Sequence, residues 1–279
     1  MEFLQPSAWE EALEMKAAHP EAVPIAGGTD VMVEVNLDHR RPETIIDLTR
    51  VRELTEWGTD DGLMRIGAGV SYTRIIDELG ERLPGLAMAS RTVGSPQIRN
   101  RGTVGGNLGT ASPAGDAHPP LLASDAQVEV ASRSGLRRLP VQEFFTGPKR
   151  NALHPDELIA AFLVESARGG QQFAKVGTRN AMVIAVCSFA LSIDVERKRV
   201  GTGIGSAGPT PFRAVEAEEF IGGELDWENR KRPSEATLIR FGELVAAAAK
   251  PIDDVRGTAD YRRHALSVMA RRCLGWAWE

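Results

Sequence analysis

Four glycines, Gly102, Gly105, Gly106 and Gly109, fall within eight residues of the stretch Gln97-Ile-Arg-Asn-Arg-Gly-Thr-Val-Gly-Gly-Asn-Leu-Gly-Thr-Ala-Ser-Pro-Ala-Gly-Asp116. Short hydroxyl and amide side chains surround them: Asn100, Thr103, Asn107, Thr110 and Ser112. Glycine reaches positive φ without steric cost and leaves its N–H uncovered. Uncovered N–H groups around a concave loop form an anion site without any cation. Small polar side chains can then bond the ligand directly. The plainer alternative is a glycine-rich turn in a β-rich region. A second glycine pair upstream, in Ile25-Ala-Gly-Gly-Thr-Asp-Val-Met32, favours the ligand reading.

Composition narrows the chemistry. The 279 residues suffice for two domains or one large one, and the net charge is −5. No basic run marks a nucleic-acid face, and no apolar stretch approaches the ~20 residues of a membrane span. Met1-Glu2-Phe3-Leu4-Gln5-Pro6 has neither a basic n-region nor an apolar h-region, so a cytoplasmic protein without a secretory signal is expected. Cys187 and Cys273 lie far apart in apolar surroundings and read as buried thiols. Two cysteines cannot hold an iron–sulfur cluster, which takes about four ligands. His19, His39, His118, His154 and His264 are scattered, without HExxH spacing, so no dedicated metal site is expected. If such a chain does redox chemistry, it must borrow an organic cofactor.

Along the chain, Ser7 and Glu10 have the spacing of a capping box ahead of a helix running to His19-Pro20. Val23 to Ala26 reads as a strand that feeds Gly27-Gly28-Thr29-Asp30, with Thr29 or Asp30 capping a helix and leaving free N–H groups where a pyrophosphate could sit. Strands are expected at Thr44–Leu48 and Leu63–Gly69, then a helix capped by Ser71 through Leu79 and another over Pro84–Val93. Pro119-Pro120 breaks the chain ahead of an alternating strand that ends at Ala131; Ser134-Gly135 turns a hairpin, and Leu158–Val164 is an apolar run that fits strand or helix. The polar segment Ser166–Gln172 carries Gly169-Gly170 and marks a domain boundary. Beyond it, Phe173–Arg179, Met182–Ile193 and Val200–Ala207 read as strands. Ala214–Ile221, Ser234–Ala249 and Tyr261–Trp276 read as helices. Sheet first and helices after argues α+β. One literal GxGxxG, Gly203-Ile-Gly-Ser-Ala-Gly208, is followed by Pro209 and Pro211, so no helix can start there to receive a phosphate.

Ala26-Gly-Gly-Thr-Asp30, Gln97-Ile-Arg-Asn-x-Gly-Thr-Val-Gly-Gly-Asn107 and Thr110-Ala-Ser-Pro-x-x-Asp116 together resemble the flavin-binding segments of the FAD-binding (medium) subunit of molybdenum hydroxylases, the group of xanthine and carbon monoxide dehydrogenases. Gly208-Pro-Thr-Pro-x-Arg-Ala214 and Asp260-Tyr-Arg-Arg-His264 are similar to that family's C-terminal domain, so the resemblance covers nearly the whole chain. It implies a strand at Leu158–Val164. It also implies an α+β protein: a two-subdomain FAD domain of the vanillyl-alcohol-oxidase/PCMH type over residues 1–168, then a smaller α+β domain over 169–279.

By the same resemblance, Ile25, Ala26, Gly27, Gly28, Thr29, Asp30, Val31 and Met32, with Thr103, Val104, Gly105, Gly106 and Asn107, take the pyrophosphate and ribityl region of a non-covalent FAD. Asp116 accepts from a ribose or ribityl hydroxyl, the alternative being a helix or turn cap. Thr110 and Ser112 lie near the flavin. Leu153 and Lys175 match positions near the ring, where a lysine stabilises a reduced, anionic flavin; for Lys175 a solvated strand-edge role stands beside this one. Val93 falls where some members carry an aromatic residue against the ring. No residue set for substrate chemistry emerges, which suits an electron-transfer subunit. The resemblance implies an iron–sulfur subunit and a molybdopterin-binding subunit as partners, with electrons passing through FAD to NAD or another acceptor. Two alternatives stay open: a free-standing FAD-dependent oxidoreductase, and a scaffold subunit that has lost flavin.

Overall fold

The computed structural model describes residues 1–279. Three short strands, β1 (Glu2–Leu4), β2 (Val23–Ile25) and β3 (Thr44–Asp47), pair in parallel in the order β1-β3-β2. Parallel strands need crossovers, supplied here by α1 (Trp9–Ala18) and α2 (Val31–Asn36). The capping box expected at Ser7 and Glu10 is absent. Ala8 is the cap, without a side-chain bond, and Ser7 gives its N–H and hydroxyl to Glu11, at 2.6 and 3.1 Å. Asp30 stands at the N-cap of α2, but its side chain makes no capping bond.

The second unit is an antiparallel sheet. Its strands are β4 (Trp57–Asp60), β5 (Leu63–Gly67), β6 (Gln127–Ser132), β7 (Gly135–Pro140) and, after a ribbon of β8 (Phe145–Gly147) and β9 (Arg150–Asn151), β10 (Leu158–Val164). Their order is β4-β5-β10-β6-β7. The β10 strand is central and buried at every position, so it reads as an unbroken apolar run rather than an alternating one. The β4 strand was not expected from the sequence; it pairs with β5 across the Asp61-Gly62 turn. Glu129 on β6 is fully buried, held by Arg65 and Arg138 at 2.7 and 2.8 Å.

Between β5 and β6 run α3 (Tyr72–Glu78), α4 (Pro84–Thr92), α5 (Pro96–Arg101), α6 (Val104–Thr110) and α7 (His118–Ala123); α8 (Val141–Phe144) follows β7. Ser71 caps α3 as expected, accepting from the Arg74 N–H. The glycine stretch differs from the loop expected of it: residues 104–110 are helical, and Thr103 accepts from the Gly106 N–H at 2.9 Å. Pro119-Pro120 does not break the chain. Proline lacks only an N–H that the first helical turn leaves unbonded, and the pair lies in the opening turn of α7.

The last unit has an antiparallel sheet of β11 (Gln171–Val176), β12 (Cys187–Asp194) and β13 (Arg199–Gly205), with α9 (Val215–Glu224), α10 (Glu235–Ala248) and α11 (Ala259–Trp278). The apolar run from Met182 yields a strand only from Cys187 onward. One apolar core spans Ala12 to Val164 and a second spans Cys187 to Trp278. Ala89, Ala123, Phe173 and Ala190 form a small cluster at the seam between them. There β13 lies on α7. A Cβ on Gly201 would sit 2.0 Å from the Ala123 carbonyl oxygen, and one on Gly203 would sit 2.0 Å from that of Pro119. The GxGxxG string is thus a docking strip for a helix backbone. The whole is the α+β architecture expected, a larger unit of two sheets followed by a smaller one.

Candidate functional site

The first glycine pair leaves β2 and turns into α2. Gly28 has φ +75°, where a side chain would be strained. Gly27 is confined by packing, since a Cβ there would lie 1.9 Å from the Arg101 carbonyl oxygen. The two glycine segments therefore touch. Thr110 of α6 strengthens the contact by donating its hydroxyl to Asp30 at 2.8 Å. The backbone N–H groups of Gly27, Gly28, Thr29 and Asp30 donate to no acceptor in the chain, and neither do those of Thr103 and Gly105.

These groups open onto a cavity of about 860 Å³, toward the upper end of the ~300–1,000 Å³ of small-molecule sites. Of the residues expected from sequence, Ile25, Ala26, Gly27, Gly28, Thr29, Asp30, Val31, Thr103, Gly105, Gly106, Asn107, Thr110, Ser112, Asp116 and Leu153 line it. Val93 does too. Three expected residues are elsewhere. Met32 is exposed on α2 and Val104 is fully buried in the core. Lys175 bonds Asp116 at 2.5 Å and the Thr92 carbonyl at 3.2 Å instead of lining the cavity. Its side chain is 8% exposed, so it is not a solvated strand-edge lysine either.

Asp116 is the pivot of this corner. One carboxylate oxygen takes Lys175 and the Thr92 hydroxyl, the latter at 3.1 Å. The other, Oδ1, is sealed from solvent and has no partner. Burial pushes its pKa up, and Lys175 opposes that shift. A buried acceptor without a donor is costly, and the Lys175 and Thr92 contacts on Oδ2 offset it. Behind α6, His118 is fully buried, with Nε2 3.1 Å from the Asn107 carbonyl and its ring 4.5 Å from that of Phe145. Burial pushes its pKa down to about 4, so it stands as a neutral prop. The Asn107 amide oxygen accepts from the Ala117 N–H, fixing the turn that presents Asp116.

Other lining residues carried no such signal in the sequence. Tyr72 reads as a helix-face residue, and Met182, Val183 and Ile184 read as part of a strand. The structure places all four on the cavity wall, with Arg40, Thr49, Arg101, Lys149 and Asn151. Lys149 bonds Glu34 at 2.8 Å, joining the β8–β9 ribbon to α2.

Comparison with known proteins agrees with this geometry. The profile of the FAD binding domain in molybdopterin dehydrogenase matches residues 1–164. That of the CO dehydrogenase flavoprotein C-terminal domain matches residues 172–277. The chain is 33% identical to the nicotinate dehydrogenase FAD-subunit of Eubacterium barkeri over 266 residues, covering 90% of this chain and 88% of that one. It is 30% identical over 276 residues to a putative xanthine dehydrogenase FAD-binding subunit of Escherichia coli K12, covering 96% and 92%. A structure of carbon monoxide dehydrogenase from Hydrogenophaga pseudoflava superposes with a TM-score of 0.90 at 26% identity, covering 100% of this chain and 97% of that one. A cavity walled by two glycine segments and these two domain profiles converge on one assignment: the chain belongs to the FAD-binding oxidoreductase subunits of the molybdopterin dehydrogenases.

Proposed function

We propose that this chain is the electron-transfer subunit of a heteromeric molybdenum-containing hydroxylase. In this reading it receives electrons from iron–sulfur clusters on a partner subunit and delivers them to NAD or another acceptor. The substrate is oxidised at a molybdopterin-binding subunit, and the complex works in the cytoplasm. The carrying observation is the cavity itself, which residues of both glycine segments line together and onto which their unbonded N–H groups open. The relatives' names, which include FAD subunits of nicotinate and xanthine dehydrogenases, support the placement in a larger enzyme. We also propose domain limits of 1–168 and 169–279, in keeping with two separate apolar cores.

FAD, when bound, supplies the hydride and one-electron chemistry. The chain's residues bind, orient and shield it. The open N–H groups of Gly27 to Asp30 and of Thr103 and Gly105 suit a pyrophosphate, because they offer donors without a fixed counter-cation. Asp116 lines the same cavity, and Lys175 favours the charged form of its carboxylate against the effect of burial. Val93, Met182, Val183 and Ile184 give the wall apolar surface for a ligand to cover.

The test is the visible absorption spectrum of the purified chain before and after addition of FAD. A Cβ on Gly106 would meet only the Thr103 hydroxyl, at 3.1 Å. Gly106→Trp therefore fills the cavity without invading the core. A flavin spectrum in the wild type, lost in a folded Gly106→Trp variant, is expected. A folded wild type that takes up no FAD overturns the reading. The acceptor is checked by photoreducing the flavoprotein without oxygen and adding NAD; formation of NADH is expected, and its absence moves the assignment to another acceptor.

A further inference from the structure

Tyr72 opens α3, directly after its cap, and its backbone N–H bonds the Gly102 carbonyl at 3.0 Å. That bond carries the ring under the second glycine segment. A Cβ on Gly102 would lie 3.3 Å from two ring carbons, so glycine at 102 gives the ring its space. The same Gly102 packs against Gly27. The ring therefore stands where the two segments meet, 3% exposed and on the cavity wall.

The hydroxyl is what remains unexplained. The chain's sealed, partnerless polar atoms are Asp116 Oδ1, His118 Nδ1, Ser188 Oγ, Arg230 Nη1 and Arg262 Nε. The Tyr72 oxygen is not among them, although it makes no hydrogen bond within the chain. A buried phenol whose oxygen is neither bonded nor sealed, on a residue lining a cavity, opens into that cavity. Burial and the charges of Asp116 and Asp30 push its pKa well up, so it remains a protonated donor. Both carboxylates line the same cavity. One phenol donor thus stands among two carboxylates that can only accept. Beside these carboxylates the phenol suits a neutral hydroxyl better than an anionic oxygen, so the pyrophosphate is left to the backbone N–H groups of the glycine segments. A polyol fits, because each hydroxyl both donates and accepts.

We propose that the Tyr72 hydroxyl is a further cofactor-binding group, donating to an oxygen of the ribityl chain. This deepens the flavin reading and rests on it. The discriminating feature is chemical: FAD carries a ribityl chain and ADP does not, although both carry adenosine and pyrophosphate.

The experiment is Tyr72→Phe, which keeps the ring and removes only the hydroxyl. FAD affinity of the deflavinated chain is measured by quenching of flavin fluorescence, and ADP affinity by displacement of FAD. One neutral hydrogen bond is worth about 1 kcal/mol net, roughly a five- to tenfold change in affinity. FAD binding is expected to weaken by that factor while ADP binding is unchanged; the unchanged ADP affinity also shows that the variant's site is folded. Equal FAD affinity in the variant overturns the proposal and leaves the flavin reading intact. Equal losses for FAD and ADP overturn it too, by moving the contact to the adenosine diphosphate half. A folded wild type that binds no FAD instead overturns the flavin reading itself.

Discussion

At the scale of single residues, the glycines of the site answer to different constraints. Gly27 is set by the Arg101 carbonyl, and Gly105 by Ala68, whose Cβ would lie 2.5 Å from a new one. Neither could take a methyl group without moving backbone. Gly106 faces open space beyond the Thr103 hydroxyl. Gly27→Ala is therefore expected to lower stability by about 1–3 kcal/mol, the usual range for overpacking, and to release flavin. Gly106→Ala is expected to fold as well as the wild type or better, since alanine favours a helix by about 1 kcal/mol over glycine; thermal melts of the two variants check the contrast. His118 gives a pH signature. Its pKa falls to about 4 in the fold from an ordinary value of about 6.5, so the unfolded chain binds the extra proton between those values. Its contribution is full above pH ~6.5 and fades as pH falls toward 4, by on the order of 3 kcal/mol. Denaturation at a series of pH values should show that slope, and His118→Gln should flatten it.

At the scale of elements, what the sequence disclosed followed a simple rule. Elements whose cues are local were readable: the Ser71 cap, the Ser134-Gly135 hairpin and α10 behind Ser234 all stand where expected. Elements whose identity depends on a distant partner were not. The α6 helix contains three glycines, a composition that disfavours helix. It is supported from outside by His118 and by packing against Ala68. The Gly203-x-Gly205 strand looked like a failed nucleotide motif because its true partner, the α7 backbone, is some 80 residues upstream. Gly169-Gly170, read as a linker signal, is likewise shaped by contact, since a Cβ on Gly170 would lie 2.0 Å from the Ala277 carbonyl oxygen. The site followed the same rule. The glycine segments were legible because their spacing is local. Tyr72 and Met182–Ile184 were not, because only folding brings them to the cavity. Gly203→Val is expected to push β13 off α7 and lower the melting temperature by several degrees. Glu129→Ala removes a fully buried acceptor from two arginines that are each about one-third exposed, Arg138 keeping Asp60, so a loss of stability smaller than the ~3–5 kcal/mol of a fully buried pair is expected; urea unfolding measures it.

At the scale of the whole molecule, the two domains meet along a seam that also borders the cavity. Lys175, from the second domain, neutralises Asp116 of the first within a pair whose side chains are each 8% exposed. Lys175→Met leaves Asp116 buried and uncompensated, so both stability and flavin retention should fall; an equilibrium melt and a flavin-release assay check them together. Cys187 and Cys273 lie fully within the second core, and burial pushes each thiol up to about 12. Neither should react with a thiol reagent until that core opens, so thiol labelling in urea reports second-domain unfolding separately from flavin release.

The Met182–Ile184 segment of the second domain completes the wall of a cavity built mostly by the first. A ligand in that cavity is in contact with both domains and is lost when they part. Occupancy and cohesion are then one equilibrium seen from two sides. At a free flavin concentration a hundred times its dissociation constant, the folded, docked chain gains about 2.7 kcal/mol over the empty one. The cofactor is in this sense a mortar as well as a reagent, and a cell short of riboflavin would hold not a pale version of this subunit but a looser one.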